Sequence, residues 1–107
     1  MSEYIGTITF HQAREAVEVV ALRKLSEFMD SSNIPVLRDP YKESEYCWIF
    51  FRNKQIQGPP ERELTWGWAY AISKKGEIRL IGDLSDEPEK LEVQIGRLSN
   101  YFKEKGL

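Results

Sequence analysis

The sequence predicts a single α+β domain: an N-terminal helix, an antiparallel sheet of three to four strands, and a C-terminal helix packed on the sheet. Hydrophobic residues recur every three or four positions in residues 10–29, which is the period of one helix face. Between residues 46 and 82 short apolar runs, separated by turn residues, contain all three tryptophans. The helical period then returns near the C-terminus. At 107 residues the chain has room for one domain.

The first helix is predicted at residues 10–29. Thr9 is a favourable N-cap, and Gln12 three positions later completes the capping-box pattern. The helix is expected to end in the turn cluster at residues 30–33. The segment before it is expected to be a loose lead-in, with a short edge strand at residues 4–8 as the alternative.

Residues 34–37 are predicted to form a short edge strand, because Pro35 cannot donate a hydrogen bond to a neighbouring strand. A polar turn is expected at residues 39–45. The first central strand is predicted at residues 46–52. Both of its faces are apolar, so we expect it to be covered on both sides. A long loop follows at residues 53–64.

The next hairpin has two possible registers, and a slip of one residue exchanges the two faces of a strand. A three-residue loop at 74–76, with Gly76 left-handed, pairs Ile72 with Ile78 and is favoured. A two-residue loop would set Ile72 against Arg79. In the favoured register one face is large and apolar: Trp66, Trp68, Tyr70, Ile72, Ile78 and Leu80. The opposite face is small and flat, and either packs closely against a helix or is partly open to a partner.

The second helix is expected to begin with Asp86 as its cap and Pro88 in its first turn. Gly106 is expected to stop it, and Gly96 inside it is expected to allow close approach to the sheet. The predicted buried stripe consists of Leu91, Ile95, Leu98 and Phe102.

Composition argues against several classes of function. A net charge of −2 argues against a protein that binds nucleic acid through its phosphates. Cys47 is the only cysteine, so no intramolecular disulfide is expected. No apolar run is long enough for a membrane span, and no secretory leader is recognisable. The chain is therefore expected to act in the cytoplasm, without contact with a membrane.

No pattern of catalytic residues is recognisable, so the chain is not expected to be an enzyme or to carry a metal or cofactor. His11 is the only histidine, and no glycine-rich phosphate loop is present. The carboxylate pairs at residues 43/45 and 61/63 are more typical of a surface than of an acid–base site. Lys74 and Lys75 with Arg52, Lys54 and Arg62 could form a basic patch, but Lys-Lys-Gly is an ordinary hairpin tip.

Three segments resemble the YrhB-like, or immunity protein 35, family of small bacterial proteins. They are Ile8-Thr9-Phe10-His11-Gln12-Ala13 opening the first helix, the strand Cys47-Trp48-Ile49-Phe50-Phe51, and Ala71-Ile72-Ser73-Lys74-Lys75-Gly76-Glu77-Ile78 with the later Gly82. The resemblance implies a non-enzymatic protein that binds and neutralises a cognate bacterial toxin domain, such as a nuclease. A chaperone-like or scaffolding module that uses the flat face of the sheet is the alternative.

The expected toxin-binding surface joins the loop at residues 53–64 to the turn at residues 42–45. Both are polar segments next to rigid strands. Glutamates would meet basic groups of the toxin, and Trp66 would be a partly exposed anchor. The protein itself is expected to be a monomer or a weak homodimer. The candidate contact residues are Glu43, Glu45, Arg52, Gln55, Glu61, Arg62, Glu63 and Trp66.

Overall fold

The computed structural model describes residues 4–29 and 33–107 and has the predicted α+β architecture. Four strands form one antiparallel sheet in chain order, β1-β2-β3-β4, between an N-terminal and a C-terminal helix. No helix in these two ranges is long and apolar enough to cross a membrane. The elements are α1 (Phe10–Leu25), β1 (Leu37–Glu43), β2 (Cys47–Arg52), a short α2 (Glu63–Trp66), β3 (Trp68–Ser73), β4 (Ile78–Gly82) and α3 (Pro88–Lys105).

Strand β2 is buried along its whole length, which confirms that it is covered on both faces. Trp48 and Phe50 belong to a core that α1 closes. Cys47, Ile49 and Phe51 belong to a second core that α3 closes. The sheet is therefore the middle layer of a helix–sheet–helix sandwich.

The predicted hairpin register is confirmed. Ile72 lies opposite Ile78, and Gly76 has φ of +96°, the left-handed conformation that glycine adopts without strain. The Gly76 N–H donates to the Ser73 carbonyl at 3.0 Å, which closes the turn. On the small face, Ala69 and Ala71 are fully buried in the core under α3. That face therefore packs a helix, the first of the two expected possibilities.

The prediction for the first strand is wrong. The structure places the strand at Leu37–Glu43, across the residues expected to form a polar turn. The register against β2 shifts between Leu37 and Tyr41, so Pro40 lies in a bulge and needs no ladder partner. Since β1 is an edge strand, a proline and several charges are tolerated there.

The start of β3 also differs from the prediction. Trp66 lies in α2 and not in the strand, which begins at Trp68. The Gly67 N–H donates to the Glu63 carbonyl at 2.7 Å, so a helical turn ends at Gly67. The predicted loop at residues 53–64 contains a 3₁₀ turn at Pro60–Arg62 as well as the start of α2.

Helix α1 has the predicted capping box: Thr9 and Gln12 each accept a hydrogen bond from the other's backbone N–H. The α-helix ends at Leu25, four residues earlier than predicted, and a 3₁₀ turn at Ser26–Phe28 follows it. Most of the expected turn cluster, residues 30–32, lies outside the described ranges. Residues 4–8 form no strand, although two backbone N–H groups of this segment donate to the Lys74 carbonyl.

Helix α3 ends at Gly106 as predicted, with φ of +67°. Asp86 is not its cap: Glu87 occupies that position without a side-chain bond, and Asp86 instead binds Lys54 at 2.9 Å. Gly96 does not approach the sheet, because it is exposed and an added Cβ would meet no atom within 4 Å. Leu98 is only half-buried, whereas the neighbouring Ser99 is buried.

Ser99 connects α3 to the turn between β1 and β2. Its hydroxyl accepts from the Ser44 hydroxyl at 2.9 Å and from the Tyr46 N–H at 3.2 Å. Ser44 in turn accepts from the Cys47 N–H at 3.2 Å. These bonds satisfy the backbone N–H groups of Tyr46 and Cys47 at a partly buried position. The buried face of α3 therefore contains the polar Ser99 where the prediction had Leu98.

Two side chains occupy the open edge of β4. The Ser73 N–H donates to the Glu77 carbonyl, so by alternation the carbonyls of Ile78 and Gly82 face away from β3. The Arg79 guanidinium donates to the Ile78 carbonyl at 2.9 Å. The Gln94 amide donates to the Gly82 carbonyl, also at 2.9 Å. The edge is therefore partly capped by the chain itself.

Replacing Gly96 by alanine should stabilise the protein. The position is helical and exposed with open space around it, so the change should raise the free energy of unfolding by about 1 kcal/mol. Urea unfolding followed by circular dichroism measures the effect. The matched control is Gly106→Ala, which should destabilise because its positive φ strains alanine. A destabilised Gly96→Ala variant would contradict this assignment.

Candidate functional site

A groove of about 790 Å³ lies at the end of the sheet where β2 stops and β3 starts. One wall is formed by residues 57–68 and includes α2. The other wall is the turn that follows β4, residues 82–86. We call it the Trp66 groove; among the residues that line it are Arg52, Glu63, Leu64, Trp66, Trp68 and Asp83.

Two tryptophans of this groove are fixed by hydrogen bonds to the backbone. Trp66 Nε1 donates to the Pro59 carbonyl at 3.1 Å, and Trp68 Nε1 donates to the Leu64 carbonyl at 2.7 Å. Trp66 also lies against Gly58, where an added Cβ would come within 2.5 Å of the indole Cδ1. The absence of a side chain at Gly58 therefore allows the loop and the ring to pack together.

Arg52 holds the loop that follows β2 in place through contacts with Ile56 and Trp66. It is the last residue of β2 and only 8% exposed, with its guanidinium 4.9 Å from the centroid of the Trp66 ring. Nη1 donates to the Ile56 carbonyl at 2.6 Å. Burial of the guanidinium lowers the pKa of Arg52. Arg52 therefore holds Trp66 and the loop in place, and it is not an exposed contact residue.

The opposite wall is held by Arg38 on β1. Its Nε donates to the Arg52 carbonyl at 2.8 Å, and its Nη2 contacts Asp83 at 3.3 Å and Ser85 at 3.2 Å. The guanidinium also lies over the Phe51 ring. Arg38 thus ties the turn after β4 to the end of β2, so both walls of the groove are fixed.

Leu64 is the most exposed large hydrophobic residue that the structure describes. It lies on α2 with 82% of its surface open, although its carbonyl accepts the Trp68 bond. Sequence reasoning did not single it out. The sequence does contain a hint: Leu64 is an isolated apolar residue in the polar stretch Glu61-Arg62-Glu63-Leu64-Thr65. It belongs to neither the helical nor the strand repeat of hydrophobic residues.

The structure separates the candidate contact residues into two groups. Arg52, Glu63 and Trp66 line the groove, and Trp66 is half-buried as expected. Gln55, Glu61 and Arg62 are exposed on the same loop, with Arg62 bound to Glu27 at 2.8 Å.

Glu43 and Glu45 lie elsewhere. Glu43 pairs with Trp48 at the start of β2, whereas the loop follows Arg52 at its end. A strand of this length spans roughly 17–20 Å. The two segments of the expected surface therefore lie at opposite ends of the sheet.

Among the described residues, three carboxylates line this groove, Glu63, Asp83 and Asp86, and none of them is buried. Asp83 binds Arg38, and Asp86 binds Lys54. Within residues 4–29 and 33–107, no set of three His, Cys, Asp or Glu side chains could hold a metal ion. His11 is exposed on α1. Cys47 is buried, and burial raises the pKa of its thiol, which disfavours the nucleophilic thiolate.

Comparison of the chain with protein-family models, curated proteins and solved structures finds no significant match.

Tyr70 lies beside Arg52, and its buried hydroxyl has no hydrogen-bond partner among the described residues. Burial raises the pKa of Tyr70 from 10.0 to about 12, against the opposing effect of the Arg52 charge. The protonated form is favoured in the folded state. The stability that this preference contributes is complete below pH 10 and is lost as the pH rises towards about 12.

Tyr70→Phe should therefore keep or increase stability at neutral pH, because it removes an unpartnered buried hydroxyl. Between pH 10 and about 12 the variant should lose less stability than the parent protein. Urea unfolding across this pH range tests both expectations. Tyr41→Phe, at an exposed position, is the control and should follow the parent curve. A large loss of stability in Tyr70→Phe at neutral pH would show that the hydroxyl has a partner.

Proposed function

We propose that this protein is a non-catalytic inhibitor of the immunity type, which binds and neutralises a bacterial toxin domain through the Trp66 groove and the adjoining loop. The observation that carries the proposal is Leu64, which is 82% exposed and lines the same groove as the two hydrogen-bonded tryptophans. An exposed apolar group with a polar rim is a typical anchor of a protein interface. The toxin as partner comes from the sequence resemblance.

The groove is preorganised for binding. Trp66 and Trp68 are held by backbone hydrogen bonds, and both walls are tied by arginines to the end of β2. A partner would therefore lose little free energy to the ordering of these side chains. Leu64 would fill a pocket on the partner, and the tryptophan faces would widen the apolar contact.

The rim of the groove supplies negative charge. Glu61 and Glu63 are exposed, and neither forms an ion pair with a described residue. They are available to basic groups, and a nuclease toxin must be basic where it attracts phosphate. Glu43 already binds Lys74 at 2.5 Å, and both Glu43 and Glu45 lie at the far end of the sheet. The proposed interface therefore excludes them.

The alternative, a chaperone-like or scaffolding module, was expected to use the flat small-residue face of the sheet. That face is covered by α3, with Ala69 and Ala71 fully buried. A general binding module of that kind would have to use another surface. The two functions differ in stoichiometry, since an immunity protein binds one toxin at 1:1 and a chaperone holds many unfolded clients weakly.

Co-purification with the C-terminal domain of the protein encoded immediately upstream tests the proposal. We expect a 1:1 complex and survival of cells that express that domain. Leu64→Glu should weaken the complex at least about 30-fold, the loss typical of a central anchor residue. Leu22→Glu, at a 49% exposed leucine of α1, is the matched control and should bind normally. Failure to form any complex, together with failure to rescue cells, would refute the function.

A further inference from the structure

Three lysines lie over three aromatic rings at the end of the sheet opposite to the Trp66 groove. The Nζ atom of Lys74 is 3.8 Å from the ring centroid of Trp48. The corresponding distances are 4.6 Å from Lys75 to Tyr4 and 5.5 Å from Lys103 to Tyr46. All six residues line an open cleft of about 810 Å³, which we call the lysine cleft.

Four separate parts of the chain form this cleft. The β3–β4 turn supplies Lys74 and Lys75, the last turn of α3 supplies Lys103, and the start of β2 supplies Trp48. The N-terminal segment is tied to the turn because the Thr7 and Ile8 N–H groups both donate to the Lys74 carbonyl, at 2.8 and 3.1 Å. The Tyr4 hydroxyl donates to the Leu107 carbonyl at 2.7 Å.

Three lysines and one carboxylate, Glu45, are among the described residues that line the lysine cleft, in a chain whose net charge is −2. Glu43 binds Lys74 from the end of β1. The Lys75 ammonium donates to the Gly106 carbonyl at 3.2 Å. Lys103 forms no ion pair with a described residue, and its ammonium lies over the ring of Tyr46. An anion in the cleft would supply an ionic partner for Lys103 and a further partner for Lys75.

A second, independent observation concerns Trp48. The residue is only 4% exposed and lines the cleft, yet its indole Nε1 has no acceptor among the residues that the structure describes. Buried donors are nearly always paired, so an unpaired one needs an explanation. The Nε1 atom is itself covered, so an oxygen atom of a bound anion would become its acceptor on displacement of the side chains that cover it.

We propose that the lysine cleft binds the phosphate group of a small molecule. Every cation among the described lining residues is a lysine, which binds phosphate as a point charge, whereas recognition of carboxylates favours the planar fork of arginine. The cleft volume lies in the range of small-ligand sites. The half-buried rings of Tyr4 and Tyr46 would supply apolar contact to the rest of the ligand. This site is separate from the Trp66 groove and does not depend on the function proposed for it.

Titration of the full chain with inorganic phosphate, pyrophosphate and adenosine 5′-monophosphate tests the proposal. The indole N–H resonances of the three tryptophans provide internal controls in one NMR spectrum. We expect the Trp48 signal to shift with saturation, and the signals of Trp66 and Trp68 to stay in place. A response to pyrophosphate or the nucleotide that exceeds the response to inorganic phosphate would identify a ligand larger than the free ion.

Two lysines of the last turn of α3 give a matched pair of variants. Lys103→Ala should weaken binding about tenfold or more, the loss expected for one hydrogen bond between charged groups. Lys105→Ala removes the same charge from the same exposed helix end, outside the lining residues, and should bind like the parent protein. Lys75→Ala should behave like Lys103→Ala.

Three results would overturn the proposal. The first is an unchanged Trp48 signal at saturating pyrophosphate. The second is an equal loss of affinity in Lys103→Ala and Lys105→Ala, since it would indicate a diffuse charge effect. The third is tight binding of a single-stranded oligonucleotide without any response to the small phosphates, because the cleft would then follow a nucleic-acid backbone.

Discussion

The burial of β2 on both faces is the constraint on which the rest of the structure depends. Its first five residues are apolar and its sixth, Arg52, is buried with them, so neither face can be left to water. One helix must cover each face, and α1 and α3 do so with two separate cores. The faces of the sheet are thereby covered, which leaves grooves at the two ends of the strands and between β4 and α3. The Trp66 groove and the lysine cleft lie at these ends.

Sequence reasoning succeeded where the structure depends on neighbouring residues. The capping box at Thr9 and the Gly76 turn follow from local backbone chemistry, and the turn then fixes which strand residues face each core. Strand β1 could not be predicted in this way. It is an edge strand with a bulge, and its sequence Leu-Arg-Asp-Pro-Tyr-Lys-Glu has neither a strand period nor a buried run. Its pairing with β2 decides its conformation.

The candidate sites also depend on contacts between residues that are distant in sequence, which local patterns do not predict. Arg52 and Trp66 could be recognised as unusual residues in sequence, but their contact with each other requires the loop to fold back over the strand end. Arg52 was expected at the surface and is buried because the backbone carbonyl of Ile56 binds it. Lys103 joins Lys74 and Lys75 only through the packing of α3, about thirty residues later in the chain. No pattern of neighbouring residues in the sequence indicates that these three lysines lie in one cleft.

The capped edge of β4 affects how molecules of this protein can meet one another. Arg79 and Gln94 occupy the outward carbonyls of Ile78 and Gly82, so an approaching strand finds an interrupted row of acceptors. Growth of stacked fibrils needs an uninterrupted row of this kind in every copy. At these two positions the β4 edge is therefore a poor template for a strand of a second copy.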